Sequence, residues 1–209
     1  MDSLPVQERE LLLVDAKTRL VLVGDVLLRP GDQIDSVAFP ISGTLSMITQ
    51  PDDIAVEAAT IGREGAASVH SALGSGTASQ DLISQIDGEM ITVPVATFTE
   101  RVHEGRLKDI MHRYVESLVT QISITAACNA VHHLDQRCAR WLLQTHDRVD
   151  SDTFGLTHEF LGVMLGVQRP SVSIAQRTLK DAGCITFSRG SVTVLDARDS
   201  NRPRAPATS

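Results

Sequence analysis

The fold is decided by Leu156-Thr157-His158-Glu159-Phe160-Leu161 and its continuation Leu165-Gly166-Val167-Gln168-Arg169-Pro170-Ser171-Val172-Ser173. Thr157 is a good N-cap, and Glu159 falls in the first turn, near the positive end of the helix dipole. Phe160, Leu161, Met164 and Leu165 form the apolar side of that helix. Gly166 breaks it and Val167 turns inward. Pro170 suits the first turn of a new helix, where its missing N–H costs nothing. In the second helix Val172, Ala175, Leu179 and Ala182 share one face, and Gly183 stands at the C′ position. Two short helices joined by a tight glycine-containing turn predict a helix-turn-helix. Behind them, Ile185-Thr186-Phe187 and Val192-Thr193-Val194 alternate around Arg189-Gly190, which predicts a two-stranded hairpin, a wing.

The face opposite the apolar line of the second helix carries Gln168, Arg169, Ser171, Ser173, Ile174, Gln176, Arg177 and Lys180. Such a face suits the major groove of DNA. Arg pairs bidentately with guanine, Gln with adenine, and Ser reaches phosphate. A merely solvated face would be polar too, but it would not be short of acids. Between Gln168 and Gly190 four basic residues (Arg169, Arg177, Lys180, Arg189) meet one acid, Asp181. The candidate DNA-binding residues are Thr157, Gln168, Arg169, Pro170, Ser171, Ser173, Arg177 and Arg189.

The rest of the chain is different in kind. Residues 1–134 hold 9 Lys/Arg against 18 Asp/Glu, and residues 135–209 hold 10 against 8, within a net charge of −7 over 209 residues. An acidic front and a locally basic back predict two modules with separate jobs. Hydrophobic residues at 42% and charged residues at 22% are ordinary for a globular protein, and aromatics at 3% imply an aliphatic core. Met1-Asp2-Ser3-Leu4-Pro5 has no basic region and no apolar run behind it, so no secretory signal is expected. No stretch approaches the roughly 20 apolar residues of a membrane span, and a cytoplasmic protein is expected. Cys128, Cys138 and Cys184 are odd in number and widely spaced, which reads as three reduced thiols and not a disulfide framework.

Pro5 to Ala16 reads as a short helix. Leu20–Val23, Val26–Leu28, Val37–Phe39, Thr44–Ile48, Ile54–Val56 and Met90–Val93 are short β-type runs separated by turn residues. That spacing predicts an antiparallel sandwich or barrel over about residues 15–98. Gly65 to Gln80, rich in Ala, Ser and Gly, reads as a short helix and a loop. Thr97 to Val102 reads as a helical turn. From Glu104 to about Val131 a long helix carries Leu107, Met111, Tyr114, Leu118 and Ile122 in one stripe, part of which is expected to pack on the chain's own β-module and the rest of which is read as a dimerisation seam with a second copy. A further helix follows from Asp135 to about Arg148. The tail from Arg198 has nothing to pack and is expected to be disordered. The expected divisions are 1–103, 104–134, 135–197 and 198–209, in an α+β chain.

A β-roll, a long helix, a second helix and a winged helix-turn-helix, in that order, resemble the Crp/Fnr family of bacterial transcription regulators. Leu28 to Asp32, Phe39-Pro40-Ile41-Ser42-Gly43, Ile61-Gly62-Arg63-Glu64-Gly65 and Arg137-Cys138-Ala139-Arg140-Trp141-Leu142-Leu143 carry the resemblance, with the helix-turn-helix itself. It covers almost the whole chain. It implies a homodimer formed along the long helix, binding double-stranded DNA with one recognition helix per protomer and acting with RNA polymerase. It also implies Arg169, Ser171, Ser173 and Arg177 as contacts. Pro170 and Ile174 depart from the cyclic-AMP-responsive members, which have a base-reading Glu and Arg there.

The sensor half departs further. The family's cyclic-nucleotide cassette neutralises phosphate with an Arg, yet between Arg63 and Arg101 this chain has no Lys or Arg. A buried phosphate without a cation is costly, so cyclic nucleotide is not expected. No Cys precedes Cys128, which argues against an iron–sulfur cluster. A lone His70, His103 or His112 is weak support for heme. The residues that would line an effector pocket are Arg63, Glu64, His70 and Ser123. No cofactor or metal site is expected, and no catalytic constellation is visible. The reading is a dimeric DNA-binding transcription regulator and not an enzyme. Its alternative is a ligand-binding or protein-interaction module with a vestigial DNA-binding domain.

Overall fold

The computed structural model describes residues 4–69, 74 and 76–195. His70 and the expected disordered tail, 198–209, lie outside them. The chain divides after His132 into two compact units.

The first unit is an antiparallel β-roll with helices. Its elements are α1 (Val6–Leu13), β1 (Lys17–Val21), β2 (Val26–Leu28), β3 (Ser36–Pro40), β4 (Thr44–Thr49), β5 (Val56–Ile61), β6 (Asp81–Ile86), β7 (Gly88–Pro94), α2 (Val95–Arg101) and α3 (Gly105–Val131). Two antiparallel sheets face each other, ordered β1-β7-β3 and β2-β6-β4-β5. Strand β6 was not anticipated, because Asp81, Ser84 and Gln85 interrupt its apolar residues. It pairs with β4 through a register shift between Thr44 and Leu45. Strand β5 begins only at Val56, the last residue of the anticipated Ile54–Val56, and runs on to Ile61, carrying a buried Glu57 and Thr60 that hydrogen bond each other at 2.8 Å.

Between the sheets lie Val21, Ala38, Leu45, Met47, Ala59, Ile61, Leu82 and Met90. On the far side of β3 and β7, Val37, Phe39 and Val93 pack with Leu12, Phe98, Val102, Leu107 and Met111, so α1, α2 and the start of α3 cover that sheet. Each large buried aliphatic side chain contributes roughly 1.5–3 kcal/mol before ordering costs.

This packing corrects the expected dimer seam. Leu107, Met111 and Leu118 are buried in the unit's own core, and Tyr114 packs against the same clusters. Helix α3 turns its most apolar stripe toward the β-roll that precedes it. Gly65 shows how close the approach is: a Cβ there would fall 2.3 Å from Tyr114 Cε2. Gly65→Ala must push the ring aside, at about 1–3 kcal/mol, the usual cost of overpacking. A thermal melt should show the unfolding midpoint fall by several degrees. An unchanged midpoint would mean that the ring yields freely.

The second unit contains α4 (Leu134–His146), β8 (Thr153–Gly155), α5 (His158–Leu165), α6 (Arg169–Asp181), β9 (Ile185–Ser188) and β10 (Ser191–Val194). The wing is a three-stranded sheet, β8-β10-β9, and not the two-stranded hairpin expected. Strand β8 is too short to announce itself, but Phe154 is buried, and Thr153 Oγ1 lies 2.8 Å from Thr193 Oγ1 across the sheet.

Candidate nucleic-acid interface

Helix α5 begins where its cap chemistry requires, with Thr157 Oγ1 accepting from the Phe160 amide at 3.1 Å. It ends at Gly166, whose φ of 63° is left-handed, and the Val167 amide then donates to the Gly162 carbonyl at 2.9 Å. That reversal brings Gln168 to the N-cap of α6, with Pro170 in its first turn. Arg137 of α4 donates from Nη2 to the Leu165 carbonyl, one of the last carbonyls of α5 that no helical amide reaches. Val172, Ala175 and Leu179 hold α6 against the unit. Cys138 lies fully buried in α4, and burial, with Asp135 adding to it, pushes its thiol up to about 12.

The outward side of α6 is selective. Arg169, Pro170, Ile174, Arg177 and Lys180 are exposed. Pro170, Ile174 and Arg177 follow one another at spacings of four and three, so they form one line, with Arg169 and Ser173 beside it. Arg169 and Arg177 make no side-chain hydrogen bond or ion pair among the described residues. Arg189 stands at the tip of the β9–β10 turn with a positive φ of 38°, also exposed. A 70% exposed Ile174 in the middle of this line is an apolar group held in water by an otherwise folded helix.

Two expectations are corrected here. Gln176 is only 5% exposed and lies on the inner side of α6, not on the outward face. Ala182 is exposed and lies just past the helix, not in its buried line. Ser173 is half-buried, and its hydroxyl lies 3.1 Å from His158 Nδ1 and 3.3 Å from the Arg169 carbonyl. The His158 ring packs edge-on against Phe187, centroids 5.4 Å apart. His158 thus ties α5, α6 and β9 together. Sequence reasoning passed over it, since no periodicity relates positions fifteen apart.

Residues 136–199 match the family model of the Crp-like helix-turn-helix domain. The second unit contains a Crp-like helix-turn-helix domain. The chain as a whole has the Crp/Fnr fold. It is similar to a putative transcriptional regulator of the crp/fnr family from Eubacterium rectale, at 17% identity and a TM-score of 0.72, covering 95% of this chain and 94% of that one. It is similar to FixK2 from Bradyrhizobium japonicum, at 13% identity and a TM-score of 0.73, covering 88% and 95%. It is also similar to the c-di-GMP responsive global regulator CLP from Xanthomonas campestris, at 16% identity and a TM-score of 0.72, covering 92% and 100%. No match was found among curated proteins.

Of the residues expected to line an effector pocket, Arg63, Glu64 and Ser123 are described, and all three are exposed. Glu64 Oε1 accepts from the Gly62 amide at 3.2 Å. The hydroxyl of Ser123, on α3, donates to the Val119 carbonyl at 2.9 Å. His70 lies outside the described residues. Among the described residues no group of three His, Cys, Asp or Glu could hold a metal ion, and no helix is long and apolar enough to cross a membrane.

Proposed function

We propose that this chain is a homodimeric, sequence-specific transcription regulator that inserts α6 of each protomer into the major groove. The observation that carries this reading is the outward face of α6, where unpaired Arg169 and Arg177 flank an exposed Ile174. A vestigial reader would have no use for two unpaired guanidiniums and a solvated isoleucine on one face. Arg169, at the start of the helix, is placed to read guanine, and Arg177, two turns on, to anchor phosphate. Thr157, Gln168 and Ser171 supply backbone-positioning contacts, Pro170 shapes the entry, and Arg189 extends the phosphate contact from the wing. Ser173 acts through His158, fixing the pitch of α6.

Ile174 reads a thymine. The thymine C5-methyl is the one apolar group on the major-groove edge of the bases, and an exposed branched aliphatic side chain matches it. Selection of bound DNA from a random pool should return two half-sites about 34–36 Å apart, each with a guanine preference and a thymine preference. Ile174→Ala should flatten the thymine preference alone, and replacing that thymine by deoxyuridine should weaken the unmodified protein to the level of the variant. A pool returned without enrichment would overturn the reading.

Dimerisation falls to a second line on α3. Val115 and Ile122 are half-buried, Val119 is 57% exposed and Ala126 is exposed, at spacings of four, three and four. This is the a/d rhythm of a coiled coil, set beside the stripe that faces the β-roll. Ile124 and Val131 are exposed on another side of the helix, among Arg113, Ser117 and Thr120. Ile122, which like Tyr114 also packs against the β-roll core, is the residue this line shares with the seam first expected.

The sensor half does not bind cyclic nucleotide in this reading, because residues 64–100 supply no Lys or Arg to a phosphate. Calorimetric titration with cyclic AMP or cyclic GMP should show no saturable heat at micromolar nucleotide. A clear isotherm would point to Arg63 as the phosphate partner.

A further inference from the structure

Strand β1 breaks the rule that strands follow. Alternate residues face opposite sides of a sheet, and the apolar set normally faces in. Here Arg19 stands directly across from Met90 and two residues from Val21, and both of those are buried. Leu20, on the other face, is 75% exposed. An arginine therefore takes the inward position and a leucine the outward one. Such a local conflict is expected at a functional site more often than elsewhere.

Arg19 opens into a cleft of about 470 Å³ between the two sheets of the β-roll. That volume is within the roughly 300–1,000 Å³ usual for small-molecule sites. The apolar lining comes from Leu28, Leu82 and Met90, and the polar lining includes Asp32, Asp35 and Ser36. Asp32 is engaged, with Oδ2 accepting from the Arg29 amide at 2.7 Å. Arg19 and Asp35 are not. Both line the same cleft, and neither side chain has a hydrogen bond or ion pair among the described residues. Two opposite charges share one cleft without pairing with each other.

The ligand class follows from that arrangement. A guanidinium fork matches a carboxylate bidentately. One arginine beside two carboxylates is a poor host for a phosphate dianion, whose second charge would be repelled. An unpaired carboxylate across the cleft calls for an ammonium. Between them the apolar surface calls for hydrocarbon. We propose that this cleft binds a free amino acid with an apolar side chain: carboxylate on Arg19, ammonium on Asp35, side chain on Leu28, Leu82 and Met90. The proposal is independent of DNA reading, because its site lies wholly in the first unit.

The test is calorimetry on the full chain with L-valine, L-leucine, L-isoleucine, L-methionine and L-phenylalanine, each at up to millimolar concentration. Isocaproate and isoamylamine accompany them as probes that lack the ammonium or the carboxylate. At least one amino acid should bind saturably, with both single-charge probes weaker by about tenfold or more, the loss expected for one charge-assisted contact. Arg19→Gln and Asp35→Asn should each weaken the amino acid by a similar factor. Both side chains are exposed, so both variants should keep the ligand-free unfolding midpoint. The proposal is overturned if none of the five amino acids saturates, if a single-charge probe binds as tightly as the amino acid, or if either variant binds it undiminished.

Discussion

Val119→Glu should yield a folded monomer that has lost its cognate DNA. Val119 is 57% exposed, so a glutamate there disturbs no packing within the protomer. In a parallel pair of α3 helices the same position faces its own copy. Two carboxylates would meet in a seam that excludes water, where neither can be paired. A dimer holds its second reading helix at millimolar effective concentration, and losing that coupling lowers affinity by about 10²–10⁴-fold with no contact to DNA removed. Sedimentation should report the monomer, and competition binding the lost affinity. A Val119→Glu chain that still sediments as a dimer would place the seam elsewhere. Leu118→Glu, one residue earlier, should behave differently. Leu118 is buried against the β-roll, so a charge there should cost several kcal/mol and unfold the first unit.

Arg169→Ala should cost about 1–3 kcal/mol on the cognate site and blur the preference at one base pair per half-site. Arg177→Ala should weaken cognate and random DNA alike and flatten the salt dependence by about one unit per protomer. The two arginines are eight residues apart on one helix, both exposed and both unpaired, so the difference between them is position alone. Competition binding at several salt concentrations separates the two effects. If Arg169→Ala lowers affinity uniformly and leaves base preference intact, Arg169 is a phosphate anchor, and Ile174 with the shape of the DNA must carry specificity.

Much of the second unit was legible because its signals are local. Thr157 as cap, Gly166 as left-handed stop, Pro170 as first-turn residue and the Arg189-Gly190 turn each act within four or five residues, and each stands where it was read. What was missed there involves partners far apart in sequence. His158 meets Ser173 and Phe187, β8 pairs with β10 across nearly forty residues, and Gln176 is buried although its chemistry suits either face.

In the first unit the sequence by itself determined that a β-module precedes a long amphipathic helix, because turn residues and apolar spacing are properties of the local chain. It also determined the absence of Lys and Arg between Arg63 and Arg101, which argues against a phosphate there. Only the tertiary structure decided what the helix stripe touches. A stripe of Leu107, Met111 and Leu118 has the same period whether it covers a sheet or a second helix, and burial against the β-roll settles which. The same holds for Arg19. Alternation alone puts Leu20 inside, yet pairing with β7 places Arg19 on the face of Met90 and Val21. Register is set by contacts between strands some seventy residues apart, and no local pattern contains it.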